Sequence, residues 1–469
     1  MKVTIGGEKG YVVRSLLRLF AVTGLVSSIL AAHGETAVGW RGDGSGKYPS
    51  AQPVTVWTPE KNALWKTVMP SMSNSCPIIV GERIFVCSEP SELICVNRSD
   101  GSILWQGSNL IFDALTPEEA AKAQASKHER DATMNEIETT RQEFIRKRSL
   151  SEKDLEDKAL EEEVDALDEK ISILTKKLIS FEHNDPETHE ANGYSTPTPV
   201  SDGNYVYAVF GTGVVVCYRL DGHRQWIRLL NKPTLPWGHS ASPRLVEGKL
   251  VVHIENQMTA LDAATGDTVW EIPSRHQWGT AAITKIEEST VLITPGGDII
   301  RVADGHRLAK EIINLNLASP IVEDGIVYFI QYDGSAFRLA ASEDGVEPEL
   351  LWKTTPKDSR YFSSPVILDG LIYAINDVKD FSVIDASTGI IIYEKTLDLS
   401  EGTVYPSITL AGEFLFISSD NGATLVLKPG RQYQEVARNT LEPYRSTPTF
   451  GDCQMIVRGL ENLYCIGAN

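Results

Sequence analysis

The chain has 469 residues, of which 42% are hydrophobic and 23% are charged, and its formal net charge is −19. These fractions are ordinary for a soluble globular protein and exclude a wholly disordered chain. The acidic balance makes nucleic acid a poor partner, because binding to a phosphate backbone requires a basic surface. Length alone predicts about three domains, unless a repeat joins the chain into one.

The first 34 residues have the pattern of a secretory signal peptide. An apolar stretch, residues 19–32, follows four basic residues, Lys2, Lys9, Arg14 and Arg18. The stretch is shorter than the roughly 20 residues that span a bilayer, so cleavage is predicted rather than anchoring. No cysteine precedes Cys76, so no lipid-modified N-terminus is expected. We therefore expect a periplasmic or secreted protein without a transmembrane segment after signal cleavage.

From residue 63 onward the chain repeats a strand-rich unit with a period of about 35 to 43 residues, interrupted once. Each copy has a small residue with a proline, a glycine turn, two short alternating strands and an acidic-glycine turn before an aromatic residue. The clearest copy runs from Ser240 to Trp270, and the last one, from Ser446, stops after three strands.

Residues Ala63 to Met69 have the pattern of a strand that would complete this last copy. A ring of blades must close, because an incomplete blade leaves unpaired strand edges. The repeat therefore predicts an all-β, eight-bladed β-propeller with four-stranded blades, closed by the N-terminal strand. The number would be seven if the weak copy that begins at Tyr405 is not a full blade.

The interruption, residues 118–185, contains no Gly, Pro, Trp or Tyr. Two heptad seams predict an antiparallel coiled-coil α-helical hairpin, with a turn near residues 149–151. The second seam contains Leu160, Val164, Leu167, Ile171, Leu174 and Leu178, and the first contains Met134, Ile137, Arg141 and Phe144. Ser151 with Asp154 resembles a capping box for the second helix. The hairpin is either a solvated structural spur or an arm that binds a partner.

These patterns divide the chain into four parts: a signal peptide (1–34), the closing strand with the first blade (35–112), the helical insertion (113–190) and the remaining blades (191–469). The six cysteines have neither C-x-x-C nor C-x-x-C-H spacing, so no zinc ribbon and no covalent haem is predicted. In an exported protein some of them could form disulfides.

The motif from Ala260 to Trp270, ALDAATGDTVW, resembles the tryptophan-docking motif A-x-D-x-x-T-G-x-x-x-W of pyrroloquinoline-quinone (PQQ) propellers. The resemblance implies an eight-bladed propeller similar to quinoprotein alcohol dehydrogenases and to the outer-membrane β-barrel assembly propeller lipoprotein. It also implies that four residues dock one blade on another, namely Asp262, Thr265, Gly266 and Trp270.

In the dehydrogenases of this family, PQQ is bound with calcium, an aspartate serves as the base, and two adjacent cysteines commonly cover the cofactor. No two cysteines are adjacent in this chain, and it has no haem segment. These departures from the dehydrogenase pattern favour a protein without a cofactor and without catalytic residues.

In a propeller the first strand of each blade lines the central channel, so residues just ahead of the small residue and proline are expected around one mouth. Such aromatic and hydrogen-bonding groups recognise peptides, sugars or flat ligands. The predicted binding residues are Tyr194, Trp237, His239, His276, Trp278, Tyr361, Tyr444 and Arg445. The alternative is that these rings plug the channel and brace the blades. No metal site is predicted, since His239 and His276 lack acidic or cysteine neighbours at ligand spacing.

The sequence thus favours a non-enzymatic exported scaffold that binds other proteins through the channel mouth and the helical hairpin, for example in envelope or outer-membrane protein assembly. The alternative is a PQQ-dependent dehydrogenase that oxidises alcohols or sugars with PQQ and calcium.

Overall fold

A computed structural model describes residues 37–151, 157–181, 185–231, 233–343 and 345–468. The predicted signal peptide, residues 1–34, lies outside them. Two strands precede the first blade, β1 (Lys47–Tyr48) and β2 (Ala63–Val68). Within the described part of the chain, no helix is both long enough and apolar enough to cross a membrane.

The strands form eight sheets, which are the antiparallel blades of a propeller; β1 adds a fifth, parallel strand to one of them. Blade 1 contains β3 (Ile78–Val80), β4 (Arg83–Ser88), β5 (Glu92–Asn97) and β6 (Ile103–Ser108). Blade 2 contains β7 (Val200–Ser201), β8 (Tyr205–Val209), β9 (Val214–Arg219) and β10 (Arg224–Leu229). Blade 3 contains β11 (Arg244–Val246), β12 (Lys249–Ile254), β13 (Gln257–Asp262) and β14 (Thr268–Pro273). Blade 4 contains β15 (Ala282–Ile286), β16 (Ser289–Ile293), β17 (Ile299–Arg301) and β18 (Arg307–Ala309).

The second half of the ring repeats this order. Blade 5 contains β19 (Ile321–Glu323), β20 (Ile326–Phe329), β21 (Gly334–Ser342) and β22 (Gly345–Thr354). Blade 6 contains β23 (Val366–Leu368), β24 (Leu371–Ile375), β25 (Asp380–Asp385) and β26 (Ile391–Thr396). Blade 7 contains β27 (Thr409–Ala411), β28 (Phe414–Ser418), β29 (Ala423–Leu427) and β30 (Glu435–Thr440). The last blade begins with β31 (Thr449–Gly451), β32 (Gln454–Arg458) and β33 (Asn462–Gly467).

Strand β2 completes blade 8 from the other end of the chain. It pairs antiparallel with β33, and Lys66 lies opposite Tyr464. The predicted closure by the N-terminal strand is therefore confirmed. The weak repeat that begins at Tyr405 forms all four strands of blade 7, so the number of blades is eight and not seven.

The hydrophobic core is divided among the junctions between neighbouring blades. Eight separate clusters of buried side chains each contain residues from two adjacent blades, and together they account for every junction in the ring. Alternate residues of each strand therefore face the two neighbouring sheets, which is why the strands read as short runs of Val, Ile, Leu and Phe.

A tryptophan near the end of the outer strand donates its Nε1 proton to a carbonyl oxygen of the next blade at five junctions. The pairs are Trp65–Arg98, Trp105–Leu220, Trp226–Ala263, Trp270–Val302 and Trp352–Ala386, at 2.9–3.0 Å. At each of these junctions the tryptophan packs on a glycine with positive φ, for example Gly266 on Trp226. The glycine is required by both the turn and the close approach of the ring.

The outer strand of blade 4, β18, carries no such aromatic residue. A strand of blade 5 packs over β18 in its place. The β21–β22 hairpin of blade 5 is longer than those of the other blades, and β22 leans over β18. Val346 is buried there beside Leu308 and Ala309. The backbone of Gly345 lies so close to Leu308 that a Cβ would clash with its carbonyl oxygen.

The inserted segment forms the predicted antiparallel hairpin, with α1 (Pro117–Ser151) and α2 (Lys158–Ser180). Three ion pairs fix the antiparallel register: Lys147–Glu163, Lys170–Glu136 and Lys177–Glu129. Helix α2 begins with Asp157, whose side chain accepts a hydrogen bond from the Leu160 amide. Asp154 of the predicted capping box lies outside the described residues, and Ser151 is the last residue of α1.

The first predicted seam is wrong at two positions, because Met134 and Arg141 are exposed. The residues that face α2 include Thr133, Ile137 and Thr140, which are buried. Both threonine hydroxyls donate to carbonyl oxygens of their own helix, so their methyl groups can pack in the seam without an unpaired polar atom.

Candidate functional site

A funnel-shaped cavity of about 490 Å³ opens at one mouth of the channel, and all eight blades contribute to its wall. Its deepest tier is a ring of one side chain per blade: Cys76, Thr198, Ser242, Thr280, Ser319, Ser364, Ser407 and Thr447. We call these residues the hydroxyl ring. Each donates its backbone N–H to the side chain of the next member, at 2.8–3.2 Å, and Thr447 closes the circle by donating to the Sγ of Cys76.

A second tier lies two residues earlier in each blade. Side chains two positions apart in an extended chain point to the same side, so this tier also faces the cavity. It contains Asn74, Thr196, Ser240, Trp278, Leu317, Phe362, Tyr405 and Arg445. The two tiers together give the funnel a polar base and a mixed wall, in which three of the eight residues are aromatic.

The far end of the channel is filled by a segment that the repeat pattern does not predict. We call residues 37–57 the crossing segment. It bridges to β7 through Val38, forms β1 beside β27, and places Trp40 at the floor of the cavity. Beneath that floor, the fully buried Arg41 donates to the carbonyl oxygens of Pro365 and Ile408. Burial lowers the pKa of Arg41 to about 10.

One wall of the funnel is a continuous row of aromatic rings and guanidinium groups. Phe362 and Tyr405 stack with ring centroids 4.8 Å apart. The guanidinium of Arg360 lies 5.1 Å from the Phe362 ring, and that of Arg445 lies 4.8 Å from the Tyr405 ring. Each cation is thus held over an aromatic face, where the ring quadrupole attracts it.

Contacts behind this wall fix both guanidinium groups. Arg360 Nε lies 3.0 Å from Asp377, which is buried, and Arg445 Nη1 donates to the Ala191 carbonyl oxygen at 2.5 Å. Arg445 also lies 3.7 Å from Asp420. These contacts use only part of each guanidinium, so N–H groups remain available toward the funnel.

Trp237 and Trp278 contribute to the opposite side of the funnel. Trp237 is 60% exposed at the rim, where it stacks on His189 with centroids 4.9 Å apart. Asn192 donates to the Trp237 carbonyl oxygen. His189 and Asn192 belong to the connection from α2 to β7, so the base of the hairpin forms part of the rim.

Three histidines lie behind Trp278. His276 meets the Trp278 ring edge-on at 4.5 Å, and the His239 and His276 centroids are 6.4 Å apart. Burial, reinforced by the neighbouring histidines, lowers the pKa of His239 to about 3 and that of His253 to about 4. Burial also lowers the pKa of His276, partly offset by Glu255. All three imidazoles are therefore neutral at pH 7.

Calcium and an aspartate base, which the family's dehydrogenases use, both require carboxylates. Among the described residues that line the cavity there is no Asp and no Glu. Across the same described ranges, no group of three or more His, Cys, Asp or Glu side chains could hold a metal ion. The lining residues do not fit a calcium-bound quinone.

The structure places the predicted mouth residues in two positions. Trp237, Trp278 and Arg445 line the cavity. The others lie in or behind the walls: Tyr194 donates to the Pro186 carbonyl oxygen, Tyr361 donates to that of Lys357, Tyr444 bonds to Thr424, and His239 and His276 lie behind Trp278.

The predicted docking residues lie at blade junctions. Asp262 accepts hydrogen bonds from the amides of Ala264 and Thr265, and Trp270 donates to the Val302 carbonyl oxygen. The cavity residues that sequence reasoning missed include Asn74, the hydroxyl ring, Trp40, His189, Arg360, Phe362 and Tyr405. Counting back two residues from each Ser, Thr or Cys before a repeat's first strand would have identified Phe362 and Tyr405.

The closed ring of eight four-stranded blades, sealed by tryptophans that dock on the next blade, is the architecture that the resemblance to PQQ propellers implies. Residues 187–310 and 240–393 match the family model described as outer membrane protein assembly factor BamB. This match, together with the structural neighbours below, confirms the resemblance found in the sequence. No curated protein sequence matches the chain.

Solved structures with the same architecture include BamB from Moraxella catarrhalis, at 10% identity and a TM-score of 0.52, covering 87% of this chain and 97% of that one. A europium-containing methanol dehydrogenase has 10% identity and a TM-score of 0.53, covering 89% and 96%. The quinohemoprotein alcohol dehydrogenase from Comamonas testosteroni has 10% identity and a TM-score of 0.51, covering 93% and 81%. At this identity the likeness concerns the fold alone.

Proposed function

We propose that the protein is a non-enzymatic, exported scaffold that holds another protein at its channel mouth. The observation that supports this most is the composition of the funnel, which combines aromatic faces, guanidinium groups and hydroxyls without a carboxylate among the described lining residues. Trp, Tyr and Arg dominate the binding energy of protein interfaces, because they bury large areas and also form hydrogen bonds. Calcium chemistry would need carboxylates, which the described lining lacks.

The surface around the mouth favours a protein partner over a small molecule. Three large side chains are exposed on connections at the same end of the blades as the mouth: Trp237 at 60%, Tyr332 at 51% and Val378 at 50%. Trp237 lies between blades 2 and 3, whereas Tyr332 and Val378 lie in turns between the second and third strands of their blades. A small ligand enclosed in the funnel would leave these residues in water, and a protein partner would cover them.

The hairpin can contribute to the same interface because it emerges beside the mouth. It connects the outer strand of blade 1 to the inner strand of blade 2. Its return segment is fixed to the rim, since Asn74 and Arg445 both donate to the Ala191 carbonyl oxygen. Glu89 accepts hydrogen bonds from the amides of Tyr194 and Ser195. A partner seated on the mouth would therefore lie within reach of the arm.

We propose that this scaffold acts outside the cytoplasm, either in the cell envelope or as a secreted protein. Two observations support this location: the signal-peptide pattern of residues 1–34, and the matching family model, whose description names an outer membrane protein assembly factor. Assembly of envelope proteins is the process that we propose it serves.

Comparative capture tests the proposal. Four immobilised proteins, namely wild type, Trp237→Ala, Trp278→Ala and a variant whose hairpin residues 117–181 are replaced by a short linker, are incubated with solubilised envelope fraction. Ile390→Ala is the matched control, because Ile390 is 62% exposed on a turn at the opposite end of blade 6. A partner retained by wild type and the control, and lost in both tryptophan variants, supports the proposal. Equal retention by all the proteins would contradict it.

A PQQ-dependent dehydrogenase is the second candidate, favoured by the size of the cavity, which lies within the roughly 300–1,000 Å³ of ligand pockets. Titrating the purified protein with PQQ and calcium, followed by absorbance and by dye reduction with alcohols or sugars, separates the two. The scaffold proposal predicts neither a saturable absorbance change nor turnover.

A further inference from the structure

The polar groups that face the funnel are hydrogen-bond donors far more than acceptors. In the hydroxyl ring, every serine and threonine oxygen accepts a backbone N–H from the neighbouring blade. Within the described residues, the hydroxyls of Ser242, Thr280, Ser319, Ser364 and Ser407 donate to no other protein atom, whereas those of Thr198 and Thr447 hydrogen-bond to the Cys76 side chain. Five hydroxyl protons are therefore free for a ligand, and accepting an N–H polarises each of them further.

The formal charges lining the funnel are positive, although the whole chain carries a net charge of −19. Arg360 and Arg445 lie above the hydroxyl ring; Asp377 and Asp420 contact them from behind the wall, but the described lining itself contains no carboxylate. Donor protons below and guanidinium groups above are the environment that a carboxylate prefers, because charge-assisted hydrogen bonds are the strongest available to it.

The aromatic wall defines what the carboxylate is attached to. Trp278 stands on one side of the funnel, and on the other the edges of the stacked Phe362 and Tyr405 rings line the cavity, because their faces are covered by each other and by the two guanidinium groups. These aromatic surfaces suit a flat apolar group beside the charge. Asn74 adds a peptide-like requirement, since its buried Oδ1 has no hydrogen-bond partner among the described residues and can accept a backbone N–H.

Building on the function proposed above, we infer that the funnel binds a peptide segment of the partner that carries a carboxylate next to an aromatic side chain. The carboxylate lies at the hydroxyl ring within reach of Arg445, and the aromatic side chain packs on the aromatic wall. The segment leaves the funnel past Trp237, whose exposed ring extends the site beyond the mouth.

Fluorescence anisotropy with labelled, C-terminally amidated heptapeptides tests this inference. The acidic probe is GDWEFDG, and its matched partners are the neutral GNWQFNG and the basic GKWKFKG. We expect the acidic peptide to bind wild type at least about tenfold more tightly than the neutral one, as a charged hydrogen bond is worth more than a neutral one. Added salt should reduce this difference in affinity between the acidic and the neutral peptide, because it screens the charges. A fourth probe, GNWQFNG with a free C-terminus, shows whether a terminal carboxylate serves as well as a side chain.

Arginine variants identify the site. Arg445→Gln and Arg360→Gln should each weaken the acidic peptide by roughly ten- to a hundredfold and leave the neutral peptide nearly unchanged. The Arg360 side chain is 70% exposed, but its partner Asp377 is buried, so a thermal melt of that variant checks that the fold is retained. Arg338→Gln is the matched control, because Arg338 is also an exposed arginine paired with an acid, Glu349, and lies outside the cavity lining. It should bind as wild type does.

The outcomes separate the inference from the function on which it rests. If the acidic, neutral and basic peptides bind with equal affinity, and Trp278→Ala abolishes this binding, the mouth binds peptides but does not recognise a carboxylate. That result would overturn the inference and leave the proposed function standing. If free phenylacetate binds as tightly as the acidic peptide, the funnel does not require a peptide. That result would overturn the inference and indicate a small-molecule pocket. If no peptide binds wild type at all, both the inference and the binding role of the mouth are contradicted.

Discussion

Thr447 donates its backbone N–H to the Sγ of Cys76 at 3.1 Å, and this bond joins the last blade to the first in the hydroxyl ring. Every other junction in the ring uses a serine or threonine oxygen. The ring fixes the innermost strands at one level around the axis, as the tryptophans do at the outer strands. It holds the aromatic tier of the funnel in place because that tier begins two residues away on the same strands.

Cys76 therefore offers a direct test of ring closure. Cys76→Ala should lower the free energy of unfolding by about 0.5–1.5 kcal/mol, because the buried Thr447 amide loses its acceptor. Cys76→Ser restores an acceptor and should retain wild-type stability more closely than Cys76→Ala. Urea unfolding followed by tryptophan fluorescence measures both. An alanine variant as stable as the serine variant would show that the closing bond contributes nothing.

Two glycines separate the cost of a turn conformation from the cost of tryptophan docking. Gly248 and Gly266 have φ of +69° and +74°, but a Cβ at Gly248 meets nothing within 4 Å, whereas one at Gly266 would lie 2.7 Å from the Trp226 ring. Gly248→Ala should cost about 1 kcal/mol, and Gly266→Ala at least about 1 kcal/mol more, because only the latter displaces the ring. Equal urea midpoints for the two variants would contradict the docking role.

The tryptophan hydrogen bond has its own test at Trp270. Its Nε1 donates to the Val302 carbonyl oxygen at 2.9 Å, and the side chain is buried. Trp270→Phe should lower the free energy of unfolding by about 1–3 kcal/mol, since the carbonyl oxygen loses its donor and the ring fills less space. Trp237→Phe, at an exposed rim position, should change it by less than about 0.5 kcal/mol. Chemical denaturation of the two variants in parallel provides the comparison.

The buried histidines predict a stability that falls in mild acid. An unfolded histidine takes up a proton near pH 6.5, whereas burial lowers the pKa of folded His239 to about 3 and of folded His253 to about 4. As the pH falls from about 6.5 toward 4, the unfolded chain binds protons that the folded chain does not, so the free energy of unfolding decreases. Each histidine contributes up to about 1.4 kcal/mol per pH unit in that window.

Urea midpoints at pH 7.5 and 5.0 measure this effect. His253→Gln should lose less stability between the two values than wild type does, because one titrating group is removed. His223→Gln is the control, at a histidine whose side chain is 79% exposed, and should follow the wild-type profile. Identical pH profiles for wild type and His253→Gln would contradict the contribution of the buried cluster.

The repeat made the ring and its closure predictable, since each blade carries its own local pattern of turns, strands and docking aromatic residue. The crossing segment was not predictable in this way. Arg41 bonds to Pro365 and Ile408, which lie 324 and 367 positions further along the chain, and no local pattern in residues 37–57 encodes such contacts. The long hairpin of blade 5 is similar, because it compensates for a missing aromatic residue in a different blade.

The candidate site was predicted at the correct end of each first strand but not always on the correct side of it. Tyr361 is buried in the wall, and its neighbours Arg360 and Phe362 line the cavity. A one-residue shift in an extended chain moves a side chain to the other side, and only the Ser, Thr or Cys two residues further along marks the side that faces the cavity. In α1 the seam was misplaced for a related reason, because Thr133 and Thr140 occupy positions where apolar residues are expected.

Site-specific photocross-linking shows whether another protein occupies the channel mouth. A photoreactive phenylalanine analogue replaces Trp237 at the rim or, as control, Ile390 at the far end of blade 6, in cells that express the full-length protein. Both positions are more than half exposed, so the analogue is tolerated and accessible at each. If a partner protein binds at the channel mouth, position 237 gives a discrete protein adduct that is absent at position 390. The adduct is lost when Arg445→Gln is added. Adducts of equal yield at both positions, or none at position 237, would contradict binding at the mouth.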